Sequence, residues 1–315
     1  MKHKSIWLAL ALTVAVIAGV LLDPTQVVVG KLAGDAFFEG RPTRYWVRSL
    51  QAGPARQADA LSTLEQGKSA AVPVLVAILN GTSVADAETR CAAPEVLAKI
   101  GPDAAEAGPA VLAGLSDPDS HLQAVCAEAL PKLEVPARTA VPLLIPLLKT
   151  TNAVVAAKEL SRYRAAAAPA VPDLVTLLTD KRQTSEARWN AARTLAKIGP
   201  EAMGGLDALV DSLGDDDWMI REHSAEAIGE LGEGAAEKGV PALTAMLSDP
   251  VARVRRDAVR SLGYFGAASR AAAPEIKKLL DDQEEVVRKA ATKALTFVDP
   301  GESRTSAPSV EEPDD

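Results

Sequence analysis

The feature that most constrains the fold of this chain is an apolar position that recurs about every 33 residues. The intervals between successive markers are 36, 33, 30, 35, 33, 34 and 33 residues. A period of this length, repeated seven times, is typical of a solenoid built from stacked helix pairs. The marker positions are Leu61, Leu97, Leu130, Leu160, Leu195, Ile228, Leu262 and Leu295.

The residues between the markers predict two helices in each repeat. A glycine ends several of the first helices, where it accepts a left-handed backbone. A proline then begins the second helix, because the amides of a first turn have no intrahelical partner. These prolines are Pro73, Pro109, Pro142, Pro172, Pro241 and Pro274. We expect seven helix pairs from about residue 54 to 281 and a final helix at about 283–298.

Composition agrees with an all-α chain. Aromatic residues make up 3% of the sequence while hydrophobic residues make up 48%. β-Sandwiches and barrels draw on aromatic and β-branched residues, so this balance disfavours them. The fold class predicted is an all-α α-solenoid, behind an N-terminal transmembrane helix.

The first residues indicate a membrane segment. Lys2, His3 and Lys4 precede an uncharged apolar run at 5–22, whose 18 residues lie at the lower end of the length that spans a bilayer. We expect residues 1–22 to be an uncleaved signal anchor, with the N-terminus cytoplasmic and the repeats outside the cytoplasm. The alternative is cleavage near Ala18, which would release a secreted or periplasmic protein.

Three further segments follow the anchor. Residues 23–53 are predicted to be a connector with a short capping helix that carries Tyr45 and Trp46, and Thr43 is its expected N-cap. Residues 54–298 form the repeat solenoid. Residues 299–315 are proline-containing and acidic, so we expect a disordered tail.

The repeat carries a recognisable motif. Asp249 and Pro250 are followed by Val254-Arg255, Ala258, Leu262 and Gly266. This spacing resembles HEAT repeats, specifically the bacterial subfamily that is similar to phycobilisome lyases. The resemblance implies an α-solenoid but leaves function open, because one fold serves enzymes, adaptors and regulators. Two repeats depart from the motif, since Glu134 and Arg164 replace the glycine.

An arginine stands seven residues before the marker in five repeats. One interpretation is a basic stripe that grips an anionic ligand. The other is a structural ladder, in which each guanidinium ties the turn between repeats through its forked donors; the resemblance also implies such ladders, and we favour this interpretation. The ladder residues are Arg90, Arg188, Arg221, Arg255 and Arg288, with Asp215, Asp249 and Asp282 six residues before the last three.

Two tryptophans are candidate partner-binding residues. Trp189 follows Arg188, and Trp218 follows the acidic run 215–217. Tryptophans flanked by charge are frequent at protein interfaces, although they also fill gaps between repeats. The acidic run lacks the spaced oxygen ligands of an EF-hand, so an N-cap is the better interpretation of it.

The sequence offers no recognisable catalytic or metal motif. Cys91, Cys126 and the three histidines do not have zinc-ligand spacing, and no phosphate-binding loop occurs. We therefore expect no cofactor, and the two cysteines to be buried, although an oxidising compartment would permit a disulfide. The net charge of −8 disfavours nucleic acid as a partner.

The predicted function is a membrane-tethered scaffold that binds protein partners and has no catalytic activity of its own. Helix-pair solenoids present a long surface built from successive repeats, which suits peptides and proteins. The alternatives are a lyase-like enzyme or chaperone acting on a tetrapyrrole-carrying protein, as the resemblance implies, and a cleaved, secreted scaffold.

Overall fold

The computed structural model describes residues 13, 14, 19, 23–81 and 85–300. The predicted signal anchor and the predicted acidic tail lie almost entirely outside these residues. In the part that is described, no helix combines the length and the apolar character that a membrane span needs.

A small cap precedes the repeats. It comprises α1 (Val27–Ala33), an antiparallel pair of two-residue strands, β1 (Phe37–Phe38) and β2 (Arg41–Pro42), and α2 (Thr43–Gln51). Trp46 of α2 is buried with its ring 5.5 Å from that of Phe38. Thr43 was predicted to be the N-cap of α2, but it is the first helical residue and Pro42 occupies the N-cap position. Its hydroxyl instead donates to the carbonyl of Ala36.

In the described residues that follow the cap, the chain forms seven helix pairs and a single final helix, as the repeat predicted. The pairs are α3 (Pro54–Gln66) with α4 (Val72–Leu79), α5 (Ala87–Ile100) with α6 (Gly108–Gly114), α7 (Ser120–Ala129) with α8 (Ala137–Leu144), α9 (Ala153–Leu160) with α10 (Val171–Thr179), α11 (Ser185–Ile198) with α12 (Leu206–Ser212), α13 (Trp218–Glu230) with α14 (Ala236–Ala245), and α15 (Ala252–Tyr264) with α16 (Ala273–Lys278). The final helix is α17 (Glu285–Val298).

The chain divides into two compact units, one ending at Leu143 and the other beginning at Leu144. In the second unit, the first helices of successive repeats pack side by side; α11, α13, α15 and α17 are here called the long-helix layer. The second helices α10, α12, α14 and α16 lie behind it and cover its apolar side.

Small residues let the helices of the long-helix layer approach closely. A Cβ atom on Gly263 of α15 would lie 3.2 Å from the Cα atom of Ala294 in α17. The Ser261 hydroxyl of α15 donates to the carbonyl of Ala225 in α13 at 2.7 Å, and the Thr194 hydroxyl of α11 reaches Ala157 in α9 at 2.8 Å. The alanine-rich sequence therefore produces a layer in which backbones nearly touch.

The marker leucines of the middle repeats form the core, and the register changes at both ends. The markers from Leu97 to Leu262 are fully buried or nearly so, but Leu61 and Leu295 are only half-buried. Leu64, with no exposed surface, fills the core position of the first repeat. Leu64 lies 33 residues before Leu97, so the choice of Leu61 as the marker of the first repeat was wrong.

Candidate protein-interaction surface

The arginine column lies inside the repeat stack. Arg221 of α13 donates from Nε and Nη2 to the Asp249 carboxylate at 2.7 and 3.1 Å, and from Nη1 to the carbonyl of Asp215 at 2.9 Å. Arg255 repeats this pattern with Asp282 at 2.8 Å and with the carbonyl of Asp249. Each of these two guanidinium groups thus joins the link that precedes its own helix pair to the link that follows that pair.

The pairing differs in direction from the sequence expectation. The aspartate six residues earlier offers its carbonyl, while the carboxylate comes from the following link, 27 or 28 residues later. Arg90 pairs in the same way with Asp117 at 2.6 Å, and Arg188 with Asp215 at 2.5 Å. Arg288, in the last helix, binds only the carbonyls of Asp282 and Gln283 among the described residues.

Electrostatics agree with this structural position. The hydrogen bond from Arg255 lowers the pKa of Asp282, against the opposing effect of its burial. The hydrogen bond to Asp249 raises the pKa of Arg221. Because both partners are mostly buried and their charges are mutually satisfied, the ladder presents no free row of cations to an anionic ligand.

The two candidate tryptophans are half-buried and each has an aromatic or cationic partner. Trp189 stacks on His223 of the next long helix, with ring centroids 5.2 Å apart. The guanidinium of Arg253 lies 5.4 Å from the centroid of the Trp218 ring. Asp217, in the acidic run, caps α13 by accepting from the amide of Met219. Trp189 therefore lies within the long-helix layer, whereas Trp218 is the first residue of α13, one of the helices of that layer.

Charged side chains alternate in sign across the outer face of the long-helix layer. On α13, Glu222, Glu226 and Glu230 are spaced four residues apart and so share one face. Glu226 accepts from Lys197 of α11 at 3.1 Å and contacts Nδ1 of His223 at 3.2 Å. The hydrogen bond with His223 lowers the pKa of Glu226 to about 2, although burial opposes the shift. On the other side, Glu222 binds Arg256 of α15 at 3.0 Å.

A recess between α15 and α17 interrupts this network. Its volume is about 260 Å³. Here we call it the basic cleft and define it by its outward side chains Arg256, Arg260, Tyr264, Lys289, Lys293 and Phe297. The small residues Gly263, Ala290 and Ala294 also line it, between the larger side chains.

Large apolar surface is exposed at the cleft. Tyr264 is 55% exposed, Phe297 54% and Val286, which also lines the recess, 51%. Single exposed apolar residues are ordinary, but a group of them beside cations is typical of interaction sites. The cleft was not predicted from the sequence. A signal was present, because Tyr264 and Phe297 stand two residues after the markers Leu262 and Leu295 and so occupy one repeat position.

The two cysteines are buried. Cys91 and Cys126 are free thiols; burial raises their pKa values to about 11 and 12, so neither is a reactive thiolate at neutral pH. Within the described residues, no group of three or more histidine, cysteine, aspartate or glutamate side chains is arranged to hold a metal ion.

Comparison with known proteins identifies the repeat. A family model described as HEAT repeats matches residues 153–229, 171–263, 206–296 and 240–312. Phycocyanobilin lyase subunit alpha of Picosynechococcus is 31% identical over 151 residues, which cover 42% of this chain and 54% of that protein. Deoxyhypusine hydroxylase of Phaeosphaeria nodorum is 30% identical over 139 residues, covering 42% and 41%. The chain spans about half the length of these relatives, or less.

Solved structures show the same fold at low identity. Kap121p bound to Nup53p superposes with a TM-score of 0.58 at 14% identity, covering 81% of this chain and 32% of that one. Importin beta superposes with a TM-score of 0.56 at 16% identity, covering 81% and 40%. At these identities the likeness concerns the fold alone.

Proposed function

The chain belongs to the HEAT-repeat family, and we propose that it is a protein-binding scaffold, without catalytic activity of its own, that binds its partner on the long-helix layer. The observation that carries the proposal is the group of exposed aromatic and cationic side chains in the basic cleft. Aromatic and arginine side chains at a recess are the residue types that dominate protein interfaces.

The size of the recess supports a protein over a small molecule. About 260 Å³ is less than the roughly 300–1,000 Å³ of small-molecule sites. It accommodates a side chain that projects from a larger partner. Kap121p, which has the same fold, is bound to Nup53p in its crystal structure, and this adds support by analogy.

Site-directed photo-crosslinking in the native cell tests the proposal. A photoreactive residue replaces Lys293 in the long-helix layer or, as a control, Lys278 on the opposite side of the repeat, which is similarly exposed. We expect one discrete cross-linked protein from position 293 and none from position 278. Equal cross-linking at both positions, or none at either, would count against a binding surface on this layer.

We also propose that residues 5–22 tether the scaffold to a membrane, with the repeats outside the cytoplasm. The basic residues before an 18-residue uncharged run support this topology. Alkaline phosphatase fused after Gly40 should be active, and the intact protein should fractionate with membranes. An active fusion on a soluble protein that lacks about residues 1–18 by intact mass would replace the tether with secretion.

The similarity to a phycocyanobilin lyase subunit suggests a test of the proposal that the chain has no catalytic activity. Incubation with a bilin and a phycobiliprotein acceptor should give no covalent adduct detectable by absorbance or by mass. An adduct would replace the scaffold with a lyase-like activity.

A further inference from the structure

The charge of the basic cleft opposes that of the chain. The sequence as a whole has a net charge of −8, yet α15 and α17 together carry seven basic side chains and two acidic ones. Two of the seven, Arg255 and Arg288, are occupied by the ladder. The other five give this pair of helices a positive outer face, on a chain whose net charge is negative.

The cations of the cleft are held to different extents. Arg256 binds the buried carboxylates of Glu222 and Asp257 at 3.0 and 2.8 Å, so its charge is largely balanced. Arg260 is half-exposed and donates to Asp257 and to the hydroxyl of Tyr264, both at 3.1 Å. These two arginines are positioned from beneath, with Arg260 directed to the aromatic side chain.

The two lysines of the cleft are the most available cations. Lys289 contacts Glu285, but both side chains are more than half exposed, and such surface pairs contribute little to stability. Lys293 makes no ion pair with any residue that the structure describes. Lys289 and Lys293 lie four residues apart on one face of α17, beside the recess.

The shape of the cleft adds an apolar requirement. Tyr264 and Phe297 flank a floor whose depth depends on Gly263, because a Cβ atom there would lie 3.2 Å from Ala294. A single apolar side chain fits the recess, with its backbone neighbours placed near Arg260, Lys289 and Lys293. The neighbouring helix α13 presents Glu222, Glu226 and Glu230, which limits the positive surface to the width of this cleft.

We propose that the basic cleft binds a short acidic segment of a partner protein, with an apolar anchor side chain between Tyr264 and Phe297 and carboxylates on Lys293, Lys289 and Arg260. Charge complementarity and the recess carry this inference, which rests on the proposed function and names its partner class. The narrow width of the positive surface favours a short segment over a nucleic acid, which needs an extended basic stripe.

A defined peptide tests the proposal on the full chain. The probe is a fluorescein-labelled peptide with two central phenylalanines and three acidic residues on each side. Its fluorescence anisotropy should rise with protein concentration, and binding should weaken as salt screens the cations. A peptide with serines in place of the phenylalanines, and one with lysines in place of the acidic residues, should bind at least tenfold more weakly.

Matched variants locate the site. Lys293→Glu and Phe297→Ser should each weaken binding of the acidic probe at least tenfold. Lys278→Glu makes the same charge change on α16 and should alter affinity less than twofold, and thermal melting should show all three folded. Failure of the wild-type chain to bind the acidic probe at millimolar concentration would overturn the inference, as would equal weakening by the control.

Two further outcomes distinguish this inference from the scaffold function on which it rests, and from occupation of the cleft by residues 301–315 of the same chain. Arg193 is an exposed residue of α11, in the long-helix layer but outside the basic cleft. A partner that cross-links from a photoreactive residue at this position, while the acidic probe fails to bind, would leave the scaffold function standing and remove the acidic-segment proposal. Deletion of residues 301–315, which include Glu311, Glu312, Asp314 and Asp315, should leave probe affinity unchanged. A severalfold tighter affinity after deletion would assign the cleft to this segment and overturn the partner proposal.

Discussion

A single ladder guanidinium such as that of Arg221 binds groups from two links, so its loss affects more than one contact. Arg221→Ala would leave the Asp249 carboxylate, whose side chain is 4% exposed, without its cation and the carbonyl of Asp215 without one donor. Removing one partner of a buried pair costs about 3–5 kcal/mol. We expect the melting temperature to fall by on the order of 5–10 °C, measured by circular dichroism.

The control for this prediction is an exposed ion pair in the same unit. Arg182 binds Asp180 at 2.9 Å, but its side chain is 91% exposed. Arg182→Ala should leave the melting temperature nearly unchanged, because exposed ion pairs contribute little to stability. Arg221→Lys should fall between wild type and Arg221→Ala, because lysine lacks the planar fork. An unchanged melting temperature in Arg221→Ala, combined with loss of partner binding, would make the ladder a ligand site.

Glu226 gives the chain a predictable response to acid. Its pKa falls from the ordinary value of 4.5 to about 2, because of the hydrogen bond with His223 and the neighbouring Lys197, with burial in opposition. A depressed carboxylate pKa stabilises the folded state above pH 4.5, and the contribution is lost between about pH 4.5 and 2. Glu226→Gln should therefore be less stable than wild type at pH 5.5, with a smaller difference at pH 3.

Urea unfolding at the two pH values measures this difference. Glu230→Gln is the matched control, since it lies one turn further along the same helix face and its carboxylate forms no ion pair with the described residues. Its free energy of unfolding should differ from that of wild type by less than that of Glu226→Gln at pH 5.5. A Glu226→Gln deficit that grows as the pH falls would contradict the linkage.

At the scale of elements, the period of the sequence predicted the helix pairs because the same apolar position meets the same neighbours in every repeat. The register failed at the two ends of the array: at Leu61, where the cap replaces a preceding repeat, and at Leu295, in the last helix of the described residues. The two repeats that lack the glycine keep its backbone shape. Glu134 and Arg164 have φ angles of 55° and 49°, beside 72° and 78° for Gly101 and Gly199.

Arg164 therefore carries strain that a glycine would remove. Its φ and ψ angles of 49° and −135° match those of Gly199, 78° and −140°, a region that non-glycine residues seldom adopt. The side chain is exposed and makes no ion pair with the described residues, so its loss costs little. We expect Arg164→Gly to raise the free energy of unfolding by about 1 kcal/mol, measured with urea.

The reciprocal change tests the same cause with opposite sign. Gly199→Ala meets no crowding, because the nearest atom to its Cβ, the carbonyl oxygen of Glu230, lies 3.7 Å away. It should nevertheless lower stability by about 1 kcal/mol through backbone strain alone. If Arg164→Gly lowers stability instead, the link tolerates a side chain and glycine contributes only its entropic cost there.

At the scale of the whole molecule, the fold was more predictable than the surface. Burial imposes a repeating pattern on the sequence, whereas the basic cleft arises from single residues on two different helices that become neighbours only when repeats stack. The tryptophans drew attention because they are rare, yet Trp189 is held against His223 and Trp218 lies beside Arg253. Tyr264 and Phe297 are more exposed and lie at repeat positions that the pattern leaves free.

Repeat stacking also predicts how a core defect spreads. Each helix pair contacts its neighbours, so stability is a sum of local terms and nearest-neighbour terms. Leu262→Ala, at a fully buried position of α15, should cost about 2–5 kcal/mol. Amide hydrogen exchange followed by mass spectrometry should accelerate in α13, α15 and α17, with α5–α7 of the first unit unchanged.

The matched variant, Leu97→Ala, removes an equally buried side chain from α5 of the first unit. Its exchange pattern should be the converse, with acceleration in α5 and α7 and protection retained in α15 and α17. Two opposite, localised patterns would mean that the basic cleft keeps its shape while distant repeats open, as a scaffold with separable surfaces requires. Uniform acceleration in both variants would instead make the chain one cooperative unit, in which no change in the first unit leaves the cleft intact.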